Sequence, residues 1–456
     1  MISRRDFARL AAMYGAASLW AGDKLSAVGQ SMHETSAHPD QNAKLPEWTN
    51  HIDPDWVKST LVDDLLDHWL KASVMPNGFI QENLDRNWQP WGTQREASLN
   101  GQGRQLYCMA AGYELTRRPD YLEAVRNCAT FLLKMRDPEY GGFYNRTTPD
   151  FKVIDDTKTG YTSFAIYPLA HIARITGEKK YADEAMKAWE EVSTKMRDGQ
   201  FFYNSMKRDF SGTAPMTIGN PSGAGNARPP GQNSPYAGRR HGLNVHMFEA
   251  LLALYETTRD KTLWQEIETE MDAMARMYDQ KLGYLPEAYD ENWKAPEPRS
   301  FNVGHLFEWP SLFSHAVELG ADRKFIELGS RSIDLALKVG LDKNTGGVWM
   351  IANAEGGPAR EYMIWWTQCE TMKATARYAI LHGRADLWPV FDRNLEFVRT
   401  KFLDRKDGGW FEGVIPNVPR EALGDRAYIK GAVDGPEWGS YHQTTCFADL
   451  LHLCKA

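Results

Sequence analysis

The chain has 456 residues, 42% of them hydrophobic and 25% charged, with a formal net charge of −7. These are the values of an ordinary globular protein; they exclude wholesale disorder and a collagen-like repeat, and they lack the basic footprint of a nucleic-acid binder. Aromatics are abundant, with 16 Trp, 19 Tyr and 19 Phe, which suits a large core or a cleft that stacks on sugar rings. The five cysteines (108, 128, 369, 446 and 454) form no CxxC pair and read as buried thiols rather than a zinc site.

Residues 1–29 read as an address. Ser3-Arg4-Arg5-Asp6-Phe7 has the form of a twin-arginine export signal, and the apolar run from Leu10 to Ala21 is too short to span a membrane. Its removal takes four basic and two acidic residues, so the net charge of −7 becomes −9. The expected location is periplasmic, with the twin-arginine machinery as a partner and no stable membrane anchor after cleavage. Residues 30–54 are expected to be a flexible leader, and 55–456 a single catalytic domain.

Within that domain, apolar spacing predicts twelve helices, at about 55–73, 100–117, 119–135, 160–177, 179–196, 241–258, 261–280, 303–319, 323–338, 362–382, 385–402 and 440–454. Short polar breaks such as Thr176-Gly-Glu178 and His382-Gly-Arg384 join them in antiparallel pairs. After several pairs comes a glycine turn with an aromatic or β-branched residue, as in Tyr140-Gly-Gly-Phe143, Thr345-Gly-Gly-Val348 and Asp407-Gly-Gly-Trp410. The unit repeats at a period of about 60 residues. The fold class is therefore all-α: an (α/α)6 toroid of six helical hairpins with short β-hairpins. The Gly-, Pro- and Ser-rich stretch 200–240 reads as a long loop over the mouth of the funnel.

The starts of the inner helices would face that funnel. They carry Gln102 and Arg104, then Lys158 and Tyr161, then His241, Asn244 and His246. His305 and Glu308 follow, then Trp365, Trp366, Gln368 and Glu370, and last Tyr441 and His442. In Gly304-His305-Leu306-Phe307-Glu308 the histidine and glutamate are three apart, on one helix face, so Glu308 could orient His305 as a general base. His246 stands in the same relation to Glu249. His241 and His246 are five apart, off the spacing of a helical zinc pair, and no metal or cofactor is expected. Asp155-Asp156 reads as a turn or helix cap rather than a catalytic carboxylate pair.

These residues, taken in order, resemble the N-acylglucosamine 2-epimerase family, which includes cellobiose 2-epimerases and aldose–ketose isomerases. The carriers are Gln102-Gly-Arg104, Lys158 to Ala165, Asn244-Val-His246-Met-Phe-Glu249, Gly304-His305-Leu-Phe-Glu308-Trp309, Trp365-Trp366-Thr-Gln368-Cys-Glu370 and Tyr441-His442. The resemblance implies a metal-independent epimerase or isomerase that works on a reducing sugar through a cis-enediol. By it, His305 and His442 are the acid/base pair, Glu308 orients His305, and Arg104 stabilises enediolate charge. Tyr161 and His246 bind sugar hydroxyls and aid ring opening, and Trp365 or Trp366 stacks on the ring. Asn244, Glu370 and Trp438 complete the expected substrate-binding set. The alternative is an exported polysaccharide lyase on the same toroid, with Arg228, Arg239 and Arg240 neutralising uronate carboxylates. A non-catalytic glycan-binding toroid is a third class.

Overall fold

The computed structural model describes residues 46–91, 95–214, 241–287, 289–290, 292–430 and 439–455. The expected export signal lies outside the described residues, as do the leader up to residue 45, positions 215–240 with Arg228, Arg239 and Arg240, and Trp438. None of the described helices is long and apolar enough to cross a membrane.

Helices α1 (Pro54–Leu61) and α2 (Asp67–Ser73) form one continuous rod, joined by a π turn at Val62–Leu66. They are followed by α3 (Leu99–Thr116), α4 (Pro119–Lys134), α5 (Ser163–Thr176), α6 (Lys179–Lys195) and α7 (His241–Thr258). Then come α8 (Lys261–Met277), α9 (Val303–Glu318), α10 (Lys324–Gly340), α11 (Trp365–His382), α12 (Trp388–Lys401) and α13 (Tyr441–Leu453). All twelve expected helices are present with ends shifted by a few residues. Helices α3, α5, α7, α9, α11 and α13 pack in succession, and α13 returns against α3, so six helices close a ring. The α1–α2 rod and α4, α6, α8, α10 and α12 pack around it.

Burial follows position in the two rings. In α3 every residue from Leu99 to Gly112 is buried, as an inner helix enclosed on all sides requires. In outer α4 the buried residues are Tyr121, Ala124, Val125, Cys128, Ala129, Phe131 and Leu132, one stripe at helical spacing. The chain leaves α5 and α11 through Gly177 (φ 74°) and Gly383 (φ 73°), left-handed C-caps that a side chain would strain. Four cysteines are buried thiols and Cys454 is half-buried.

The strands are short and antiparallel. Ala97–Ser98, Arg146–Thr147 and Val153–Asp155 make a three-stranded sheet, and the others pair in twos. The hairpins turn on a repeated aspartate. Asp137, Asp279, Asp342 and Asp404 each accept a backbone N–H from two residues on, closing an Asx turn. Lys158 and Lys430, both buried, reach back to the aspartates of two such turns, Asp137 and Asp404, at 2.9 and 2.8 Å. Lys158 is thus a strut of the fold rather than a funnel residue.

Two further sequence readings change. The helical body begins before residue 55: Ile52 is buried, and His51 stacks on Trp388 and bonds Asp392. The segment from 200 is not all loop, since Phe201–Phe202 and Ser205–Met206 are strands. Gln102 and Gln368 are fold clamps. The amide of each accepts from and donates to the backbone of one hairpin residue, Ile80 and Val348 respectively. Asp155 caps its own turn, taking the N–H and hydroxyl of Thr157.

Candidate active site

The first two turns of the inner helices bring the expected polar residues together. Arg104 comes from α3, Tyr161 from the 3-10 turn that leads into α5, His246 and Glu249 from α7, and His305 and Glu308 from α9. Trp365, Trp366 and Glu370 come from α11, and Tyr441 and His442 from α13. Six helix N-termini converge here, a setting that favours negative charge. Asn244 lies on the first turn of α7, and its side chain lies outside the described residues.

Trp366 organises the two catalytic candidates. Its ring lies 5.4 Å from that of His305 and 5.5 Å from that of His442. It reaches this place because residue 304 is glycine. A Cβ there would stand 2.0 Å from Cζ3 of the indole, so only a bare backbone lets the ring lie against α9. Trp365, fully buried, packs 5.7 Å from the ring of His442.

The three funnel histidines differ in their partners. His442 Nδ1 donates to Glu370 Oε1 at 2.8 Å, and the other oxygen of Glu370 is ion-paired with Lys373 Nζ at 2.7 Å. A carboxylate only accepts, so the proton of His442 sits on Nδ1 and Nε2 keeps its lone pair. Burial lowers the pKa of His442 despite the Glu370 bond, with the Arg104 and Lys373 charges adding to the depression. Burial opposes the charged form of Glu370, but the Lys373 ammonium and the bond to His442 together outweigh it and take it down to about 2.

His305 behaves in the opposite way. Its Nδ1 donates to Glu287 Oε1 at 2.7 Å. Burial opposes its charged form, but the Glu287 carboxylate outweighs it and raises His305 to about 9. Sequence spacing assigned that orienting role to Glu308, and the structure corrects it. Glu308 lies 3.8 Å from His305 Nε2 and 3.6 Å from His246 Nδ1, beyond a hydrogen bond to either. Burial, then the charge of Glu370, pushes Glu308 up to about 8. It is held towards its protonated form, set between two imidazoles.

His246 holds Arg104. Arginine Nη2 lies 3.1 Å from His246 Nε2 and can only donate, so the His246 proton is on Nδ1. Burial, with the Arg104 charge, lowers His246 to about 4 and keeps it neutral. The guanidinium also lies over the faces of Phe164 at 4.4 Å and Tyr441 at 5.1 Å. Tyr441 in turn donates to Glu249 at 2.7 Å. His246 thus fixes the one funnel arginine of the sequence reading, while Tyr161 is buried beside Phe164.

Glu308 belongs to two sets, His246-Glu249-Glu308 and Glu308-Glu370-His442, whose ligand-capable atoms lie within 4.8 Å of one another. Sequence spacing shows neither, because each set draws on different helices. In each a cation of the chain is already seated, Arg104 on His246 and Lys373 on Glu370. Spacing also missed Glu287, a loop residue with no local signal. It missed Lys373 too, although a lysine between Met372 and Ala374 in a helix buried all round is itself conspicuous.

Residues 78–424 match the family model for N-acylglucosamine 2-epimerase (GlcNAc 2-epimerase), well over half of the chain. The chain belongs to the N-acylglucosamine 2-epimerase family. It is by that membership an enzyme, a carbohydrate epimerase or isomerase. A cellobiose 2-epimerase of Bacteroides fragilis is 23% identical over 374 residues, 78% of this chain and 89% of its own. The structure is similar to that of a cellobiose 2-epimerase from Bacillus thermoamylovorans, with TM-score 0.75 and 19% identity, covering 88% of this chain and 98% of the other. A D-mannose isomerase structure gives TM-score 0.73 at 15% identity over 88% and 98%. These likenesses establish the (α/α)6 toroid as the fold, and nothing in them favours the lyase alternative.

Proposed function

We propose that the chain interconverts reducing sugars by metal-independent epimerisation or isomerisation through a cis-enediol, with His442 and His305 as the acid/base pair. The observation that carries this reading is the asymmetry of the two histidines beside one indole. His442 is held neutral with its lone pair on Nε2, and His305 is held charged by Glu287. Two titratable groups whose surroundings push their pKa values apart mark a base and an acid.

In the proposed reaction the ring-opened aldose lies against Trp366, and His442 Nε2 takes the proton from C2. The oxyanion that forms at C1 meets the fixed guanidinium of Arg104 and six convergent helix N-termini. Protonation of C2 on the opposite face by His305 gives the epimer, and protonation of C1 gives the ketose. Tyr161, Asn244 and Trp438 are proposed to hold the sugar, with Trp365 supporting His442. The relatives' printed activities, cellobiose 2-epimerase and D-mannose isomerase, make reducing mono- and disaccharides the class to test first. Export by the twin-arginine route, with function in the periplasm, completes the proposal; a fusion of residues 1–29 to a reporter tests it.

The mechanistic test is His442→Asn and His305→Asn on a responsive sugar. Each should lose about 10²–10⁴-fold in kcat with folding intact. A variant that keeps more than about a tenth of turnover marks that histidine as structural.

A further inference from the structure

We propose that Lys373 is a positioning residue that keeps His442 the proton acceptor of the site by neutralising the carboxylate behind it, Glu370, an inference that rests on the two-histidine reading above. Lys373 lies one turn beyond Glu370 in α11, with its side chain 9% exposed. Its neighbours Met372, Ala374 and Ala376 are fully buried. Placing an ammonium there carries a desolvation cost, which only good partners offset. Its ion-pair partner is Glu370 Oε2, while Glu370 Oε1 accepts from His442. One carboxylate is thus shared, one oxygen to each.

The other dyad of the site lacks this element. Glu287 bonds His305 at the same kind of distance, yet among the described residues no lysine or arginine is ion-paired with it. A carboxylate without a counter-cation stabilises an imidazolium. A carboxylate already paired with an ammonium stabilises it far less, and still fixes the imidazole by its hydrogen bond. The two dyads therefore hold their rings alike and differ in charge, so one is the proton acceptor and the other the donor.

The groups that surround His442 support this division. From α11 come Glu370, Lys373, Trp365 and Trp366. From α3 comes Arg104, from α7 His246 and Glu249, from α9 Glu308, with His305 on the far side of Trp366, and from α13 Tyr441. Arg104 and Lys373 both act against a second proton on His442. Among the leading contributions Glu370 is the one that acts for it, and Lys373 pairs with Glu370. A merely structural Lys373 would tie α11 together without bearing on which histidine carries the proton.

The test is a pH titration of His442 in the full chain labelled with ¹³C-histidine, its resonance assigned by loss in His442→Asn. Wild type should titrate below the ordinary histidine value. In Lys373→Met the His442 midpoint should rise by about one pH unit or more, the scale of one charge at 4–6 Å. The acid limb of kcat/KM should move up with it, while activity on the alkaline side stays within a few-fold. Lys373→Arg should restore both, and Glu370→Gln/Lys373→Met should return the midpoint downward. A wild-type His442 that titrates at or above the ordinary value overturns the proposal. So does a folded Lys373→Met whose midpoint moves by less than about 0.3 unit. If Lys373→Met does not fold, Lys373→Gln is read by the same criteria; if neither folds, the wild-type midpoint decides. The titration needs no substrate, so a failure of the sugar reaction would sink the proposed function and leave this readout standing.

Discussion

Glu287→Gln separates charge from shape at His305. The glutamine amide keeps a hydrogen-bond acceptor at the same place but removes the negative charge that holds His305 at about 9. Without that charge burial is opposed only by the smaller contributions of Glu308 and Glu370, and His305 should fall to about the ordinary 6.5. At pH 7.5 the charged fraction then falls from about 97% to about 9%, roughly tenfold, by simple titration arithmetic. If His305 acts as the acid, kcat/KM at pH 7.5 falls by about tenfold. The loss shrinks to a few-fold at most near pH 6, where much of His305 is charged again. The alkaline limb thus moves to lower pH, as expected for a raised folded-state value that has lost its cause. Glu287→Asp should keep most of the wild-type profile. The assay is a kcat/KM profile from pH 5 to 10 on a responsive reducing sugar. An equal loss at pH 6 and 7.5, or no loss at all, would refute the reasoning.

Gly304→Ala should drive Trp366 off α9, since the new Cβ lies 2.0 Å from the indole. A displacement of about 1 Å at the centre of the site costs on the order of 10²-fold in turnover; retention of full kcat would show that the indole's place is unimportant. EDTA should leave activity unchanged, because Lys373 already pairs with Glu370 and Arg104 already occupies a nitrogen of His246; loss restored by one divalent ion would contradict this. At the opposite ends of the inner helices, Glu114 pairs with His171 at 3.1 Å and Glu256 with His315 at 3.6 Å. Burial opposes the charge of both glutamates, but the histidine partners lower each from 4.5 to about 2. Their stabilisation is therefore present above pH 4.5 and lost as pH falls towards 2. Glu114→Gln/Glu256→Gln should flatten the acid side of a Tm-versus-pH curve, and an unchanged curve would remove these pairs from the explanation of acid lability.

Much of the architecture was legible because it is local. Apolar stripes in the outer helices, the stops at Gly177 and Gly383, and the glycine turns at 141–142, 346–347 and 408–409 depend on neighbours a few residues away. Gathering Arg104, His246, His305, Trp366 and His442 needed one further step, the closing of six pairs into a ring. What stayed hidden depends on contacts between distant elements. The i, i+3 spacing of His305 and Glu308 is real, yet Glu287 takes the ring nitrogen from a loop 18 residues upstream. Gln102 and Gln368 read as funnel polar groups, and their amides are consumed by the hairpins at Ile80 and Val348. Lys158 reads the same way and is used by Asp137. A helix face narrows where a side chain can point, but its partner is set by what the fold brings opposite.

The central claim is that a proton leaves and returns at the carbon beside a sugar carbonyl. The direct measurement is NMR of reducing mono- and disaccharides turned over in deuterated water. One solvent deuteron should appear at C2 of an epimer, or at C1 of a ketose, in each product molecule formed, with chain length unchanged. Product that forms without deuterium at either carbon, or an unsaturated uronate released from a polymer instead, would contradict it.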